Sequence, residues 1–134
     1  MITIPISVGE LIDKLSIIQI KLDKIKNEDK LTLINNEFVL LHNIAIPYLE
    51  HPEMSNLYEQ LFNVNSKLWD VEDKLRVLEV EHRFEGEFIE LARKVYYLND
   101  ERFNIKNQIN ILTSSEIQEV KEYVNYKKEK STTS

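Results

Sequence analysis

The chain has 134 residues, of which 43% are hydrophobic and 30% are charged, and its 17 Lys and Arg against 23 Asp and Glu give a net charge of −6. This length predicts one domain with a single core. The acidic balance argues against a protein that binds a nucleic-acid backbone. No apolar run reaches the roughly 18 residues of a membrane span, and no signal-peptide pattern opens the chain. The sequence therefore predicts a soluble, cytoplasmic protein without membrane contact.

Composition also removes several kinds of site. The chain has no cysteine, which excludes disulfides, thiolate catalysis and Cys-ligated metals. Its two glycines exclude the Gly-rich loops that cradle phosphates. The pair Glu79 and His82 has the Glu-x-x-His spacing of di-iron bundles, but the chain contains no second such element. The sequence therefore predicts neither a metal nor a cofactor.

An apolar repeat with alternating spacings of three and four predicts helices over almost the whole chain. Ser7 and Glu10 form a capping box at the start of the first helix, and Asn27 is its predicted end. Asp29 is the predicted cap of the second helix, and Pro47 its predicted end. The repeat in these two helices consists of Val8, Leu11, Leu15, Ile18, Leu22 and Ile25, then Leu31, Ile34, Phe38, Leu41 and Ala45.

The third and fourth predicted helices are longer, at roughly 40 Å each. Pro52 suits the first turn of the third helix, and Gly86 is the best break between the two. The residues 113–115 give a capping signal for a short fifth helix that ends at about Tyr126. The residues 127–134 have no apolar content and are predicted to be a disordered tail.

Short connections make neighbouring helices antiparallel, so the predicted fold is an all-α bundle of two helical hairpins plus a short C-terminal helix, in one domain over 1–126. The second hairpin is longer than the first and should project past it, which exposes part of its apolar repeat. The fifth helix offers only Ile117, Val120 and Val124 to cover that surface. A second subunit is the better candidate, and the sequence predicts a homodimer through the long hairpin.

One face of the third helix carries aromatic, amide and charged side chains in place of the lysines and glutamates that are typical of a solvated face. Its members recur at spacings of four and three: Tyr58, Phe62, Asn65, Trp69, Glu72, Arg76, Glu79 and Arg83. This pattern fits either a half-buried flank of the core, with ion pairs at its rim, or the wall of a pocket.

Arg102 interrupts the apolar repeat of the fourth helix, between Leu98 and Ile105. Burying a guanidinium costs several kcal/mol unless an acid pairs with it. Counting both ways from the turn at Gly86 places Glu72 at about the height of Arg102. Glu72 is therefore the predicted partner, in a pair that would set the register of the hairpin.

The alternative is that these cations converge on a small anion, a carboxylate or a phosphate. The candidate ligand-binding residues are Asn65, Trp69, Glu72, Arg76, Asn99, Arg102 and Lys106. The sequence does not say whether such a site would be catalytic.

Three blocks of the sequence also resemble a known family. They are Val8–Ile17, Asn65–Asp73 and Phe88–Arg102, and together they resemble a domain of unknown function found in short proteins of bacteria and marine phages. The resemblance covers Val8 to about Tyr126. It implies a stand-alone helical domain with no assigned activity, so that no catalytic residue can be transferred.

Two functions follow from these patterns. The first is a homo-oligomerising assembly or interaction domain, whose exposed apolar surface pairs with a second copy. The second is a small anionic-ligand-binding protein or enzyme, with a polar site between the third and fourth helices.

Overall fold

A computed structural model of the protein describes residues 1–122 and 124–126. Within those residues there are four α-helices and no strand: α1 (Val8–Lys24), α2 (Glu28–Leu49), α3 (Met54–Val80) and α4 (Glu87–Leu112). The predicted all-α bundle is confirmed. The predicted disordered tail, 127–134, lies outside the described residues.

The bundle is built around α1. The long helices α3 and α4 pack along each other, α1 lies against both, and α2 packs on α1 while barely meeting α3. The core consists of Leu11, Ile12, Leu15, Ala45, Met54, Leu57, Leu61, Val64, Ile105 and Ile109. Most of these positions belong to the apolar repeat of the sequence, so the core forms where the helical faces meet.

The helix starts follow short polar signals. Ser7 caps α1, since its side chain accepts a hydrogen bond from the backbone N–H of Glu10, as predicted. The prediction for Asn27 and Asp29 is wrong: Asn27 is the cap of α2, and it accepts from the backbone N–H of Lys30. An amide at this position suits a helix start as well as a helix stop, and α1 has already ended at Lys24.

Both prolines near the α2–α3 connection lie off their predicted positions. Pro47 does not end α2, which continues to Leu49. The proline occupies the last turn, where its missing N–H removes a single helical bond. Pro52 does not enter α3, because the backbone N–H of Met54 bonds the carbonyl of His51 in a turn and α3 begins at Met54.

The predicted fifth helix is absent from the described residues 113–122 and 124–126. Ser114 has φ of 54°, and the N–H of Ser115 bonds the carbonyl of Asn110, so a Schellman cap turns the chain back along α4. Val120 and Val124 remain exposed. A helix of about eleven residues is marginal in water without an apolar face to bury, and the chain uses polar contacts here.

None of the helices among the described residues combines the length and the apolar character that crossing a bilayer requires.

α1 and α4 lie in close contact at Gly9. Its backbone N–H donates to Asn110 Oδ1 at 2.6 Å. A Cβ atom on Gly9 would overlap the carbonyl oxygen of Lys106 and lie 2.9 Å from Asn110 Oδ1. The absence of a side chain at Gly9 therefore sets the distance between the two helices.

We expect Gly9→Ala to lower the free energy of unfolding by about 1–3 kcal/mol, because the methyl group forces α1 away from α4. The direction of this change is informative, because replacing glycine by alanine inside an ordinary helix raises the free energy of unfolding by up to about 1 kcal/mol. Urea titration monitored by circular dichroism measures the change. A stabilised variant would show that the two backbones are not in close contact.

Candidate functional site

Asp13 is a carboxylate with no exposed surface, at the point where α1, α3 and α4 meet. Arg102 of α4 donates to it twice, from Nε to Oδ1 at 2.9 Å and from Nη2 to Oδ2 at 2.5 Å. Asn65 of α3 donates to Oδ1 at 2.9 Å and to Ser16 Oγ at 2.8 Å. Such bidentate, charge-assisted contacts are among the strongest hydrogen bonds in proteins. One acid of α1 thus binds both helices of the long hairpin.

Lys106 forms a second centre one turn further along α4. Its ammonium donates to Glu10 Oε2 at 2.8 Å and to Glu119 Oε1 at 2.7 Å, and only 8% of the side chain is exposed. Glu119 belongs to the non-helical segment that follows α4, so Lys106 fastens this segment to α1. We refer to the two centres together as the polar network, which consists of Glu10, Asp13, Ser16, Asn65, Arg102, Lys106 and Glu119.

The network holds both of its bases in the charged form. The hydrogen bonds that Arg102 donates to Asp13 raise the pKa of Arg102 and outweigh the opposite effect of burial. Burial by itself lowers the pKa of Lys106, but the hydrogen bonds to Glu10 and Glu119 outweigh it, so that the pKa is raised overall.

The polar network is satisfied by its own members. Two cations face three carboxylates, so the cluster carries no excess positive charge for an incoming anion. No buried side-chain nitrogen or oxygen in the described part of the chain lacks a hydrogen-bond partner. The described residues also contain no group of acids and histidines that is placed to hold a metal ion. The arrangement is that of a structural ion-pair cluster, which chemically can join helices and keep two cations protonated.

The predicted pair between Arg102 and Glu72 is wrong. Glu72 is exposed on α3, and Arg102 turns towards Asp13 of α1. Arg102 does pair with an acid, as expected. The positions of residues along one hairpin do not show which acid a third helix brings to it.

The structure brings together Asn65, Arg102 and Lys106 of the seven candidate residues and separates the others. Trp69 is half-buried one turn beyond Asn65, and Arg76 is exposed with Glu72. Asn99 lines a different feature, a cavity of about 560 Å³ between α4 and the segment that follows it. The other described lining residues of this cavity are Tyr96, Asp100, Lys121, Glu122, Val124 and Tyr126.

Sequence reasoning missed Asp13 and Ser16, and gave Glu10 only its capping role. A signal for them exists, since Gly9, Asp13, Ser16 and Ile20 recur at spacings of four, three and four beside the apolar repeat of α1. Three of these four residues are small or acidic, which is unusual for a helical face that lies beside the core. Glu119 offered no such signal, because its contact depends on the chain reversal after α4.

We expect Arg102→Met to lower the free energy of unfolding by about 3–5 kcal/mol, because it leaves the Asp13 carboxylate buried without a counter-charge. Denaturant titration at a fixed protein concentration measures the loss. Arg76→Met is the matched control, since Arg76 is an exposed arginine of the same hairpin and its replacement should be nearly neutral. An Arg102→Met variant as stable as the wild type would contradict the structural role.

The raised pKa of Lys106 predicts a loss of stability in alkaline solution. A raised pKa in the folded state gives stability that is complete below the unfolded value, about 10.4, and is lost as the pH rises through the folded value. Burial also raises the pKa of Tyr58, which adds to the same slope. We therefore expect the wild type to lose more stability than Lys106→Met on going above pH ~10. Equal slopes in the two proteins would contradict the assignment.

Comparisons with known proteins assign the chain to a family but give it no activity. A search of curated proteins and a search of solved structures found no match. A scan of protein families found a match over residues 2–134, which is nearly the entire chain. The protein belongs to DUF6165, a family of unknown function.

Proposed function

We propose that the protein is a homo-oligomerising interaction domain whose long hairpin, α3 and α4, contacts a second copy. The observation that carries the proposal is the apolar surface at the free end of this hairpin. Its exposed apolar side chains are Val77, Val80, Phe84 and Ile89. Several large apolar side chains that are exposed at one end of a hairpin favour an interaction site, whereas single exposed apolar residues are normal on a protein surface.

Helix length explains why this end of the hairpin is uncovered. α1 has 17 residues and spans about 25 Å, whereas α3 and α4 have 27 and 26 and span about 40 Å. At the end of α1, Lys24 pairs with Asp70 at 3.8 Å, well before α3 ends at Val80. Within the described part of the chain, the last turns of α3 and the first turns of α4 therefore have only each other to pack against.

The anionic-ligand site has less support. Its cations Arg102 and Lys106 already donate to Asp13, Glu10 and Glu119 of the same chain, so that much of their charge is compensated before an external anion arrives. A ligand that binds only the native state must raise its stability. A thermal-shift screen with phosphates and dicarboxylates therefore tests this second function, which stays a prediction for the seven candidate residues.

We expect sedimentation equilibrium at micromolar concentration to show self-association of the wild type. Ile89→Lys should lower the associated mass, because it places a charge in the apolar contact. Glu90→Lys is the control, since Glu90 is exposed and polar on the neighbouring position of α4. A wild type that sediments as a monomer over the whole concentration range would overturn the proposal.

A further inference from the structure

Two hydrogen bonds hold the segment that follows α4 against that helix. Glu119 accepts from the ammonium of Lys106, and the hydroxyl of Tyr126 donates to Asp100 Oδ2. Because Asp100 precedes Lys106 on α4 while Tyr126 follows Glu119, the segment runs back along the helix. The cavity of about 560 Å³ lies between α4 and this returning segment, and both elements contribute to its walls.

Each of the two elements places a tyrosine in the lining of this cavity. Tyr96 of α4 is 62% exposed, and the centres of the Tyr96 and Tyr126 rings are 6.1 Å apart, with the rings tilted by 51°. The ring of Tyr97 lies 5.4 Å from that of Tyr126 on its other contact. The face of an aromatic ring attracts a cation that lies within about 6 Å of the ring centre. The tilted pair therefore offers two such rings to one ligand.

Carboxylates outnumber ammonium groups around the cavity. Asp100 and Glu122 are acidic, and Lys121 is the one basic side chain among the described lining residues. The ammonium of Lys121 lies 5.4 Å from the centre of the Phe103 ring, within the range of a cation–π contact. This part of the chain thus already holds one of its own cations on an aromatic ring. The balance of charge in the lining favours a positively charged ligand.

We propose that the cavity binds a small molecule that carries a quaternary ammonium group. Aromatic rings are the usual means by which proteins recognise such groups, because the methyl-covered cation is attracted to the ring faces and has little hydration to lose. The volume falls within the range of about 300–1,000 Å³ that is typical of small-molecule sites. Val124 adds an apolar contact for the methyl groups. None of the described lining residues belongs to the hairpin surface proposed for self-association.

Titration of the wild type with choline chloride, followed by amide NMR spectra, tests the proposal. We expect the resonances of Tyr96 and Asp100 to shift in the millimolar range, with sodium chloride of equal ionic strength as the reference. The alcohol 3,3-dimethylbutanol has the shape of choline without its charge, and should bind about three- to tenfold more weakly. The absence of a shift at Tyr96 and Asp100, or equal binding of the alcohol, would overturn the proposal.

Substitutions at Tyr96 test the role of the ring. Tyr96→Leu should weaken choline binding about three- to tenfold, whereas Tyr96→Phe should retain it, because phenylalanine keeps the aromatic face. Tyr48→Leu is the matched control, since Tyr48 is an exposed tyrosine of α2 outside the cavity. Circular dichroism verifies that the variants remain folded, which the exposure of Tyr96 favours. Unchanged affinity in a folded Tyr96→Leu variant would contradict the assignment.

The acidic wall gives a second test that leaves the rings in place. Glu122→Gln should weaken choline binding about two- to threefold, the effect of losing one exposed charge pair. Glu116→Gln is its control, because Glu116 is an exposed acid of the same segment that does not line the cavity. An equal effect of the two substitutions would show that the charge of the whole segment, and not this cavity, attracts the cation.

Phosphocholine distinguishes a free quaternary ammonium from a lipid headgroup. Its phosphate brings negative charge close to Asp100 and Glu122, so we expect it to bind more weakly than choline. Tighter binding of phosphocholine than of choline would overturn the assignment to a free cation.

Discussion

The bundle depends on one buried carboxylate. Asp13 has no exposed surface, and an isolated charge in that position would cost several kcal/mol. It is tolerated because Arg102 supplies the counter-charge and Asn65 a further donor, and these two residues come from different helices of the long hairpin. The requirement that all three groups meet fixes where α1 lies along α3 and α4. Apolar packing alone would tolerate a shift by one turn, whereas this contact does not.

The need to pair buried charges also explains the role of the polar residues of α4. Arg102 and Lys106 look like ligand-binding cations when α4 is considered alone, but each already holds carboxylates of its own chain. The interior of the domain is therefore occupied by its own polar contacts. What remains open is the outside, where α2 and the free end of the long hairpin present apolar side chains to solvent.

The sequence predicted the four long helices and most of the core, because the apolar repeat, the cap at Ser7 and the break at Gly86 are local signals. It did not predict the partner of Arg102, since the choice between Glu72 and Asp13 depends on how a third helix crosses the hairpin. The fifth helix failed for a related reason: the local pattern of Ile117, Val120 and Val124 is helical, but no described surface covers it. Asn65, Arg102 and Lys106 were recognised as unusual from sequence, and their role required the tertiary contacts.

The polar contacts of α1 also join residues that lie far apart in the chain, and this has a consequence for synthesis. Asp13 and Arg102 are 89 residues apart in the sequence. The backbone N–H of Val8 donates to the hydroxyl of Ser115, and these two residues are 107 apart. On the ribosome, α1 and α2 emerge long before α4 exists, so the acid of α1 stays hydrated until its base has been translated. Contacts of such sequence separation form slowly. The polar network can therefore close only after Arg102 has been translated, which makes this contact a late step of folding.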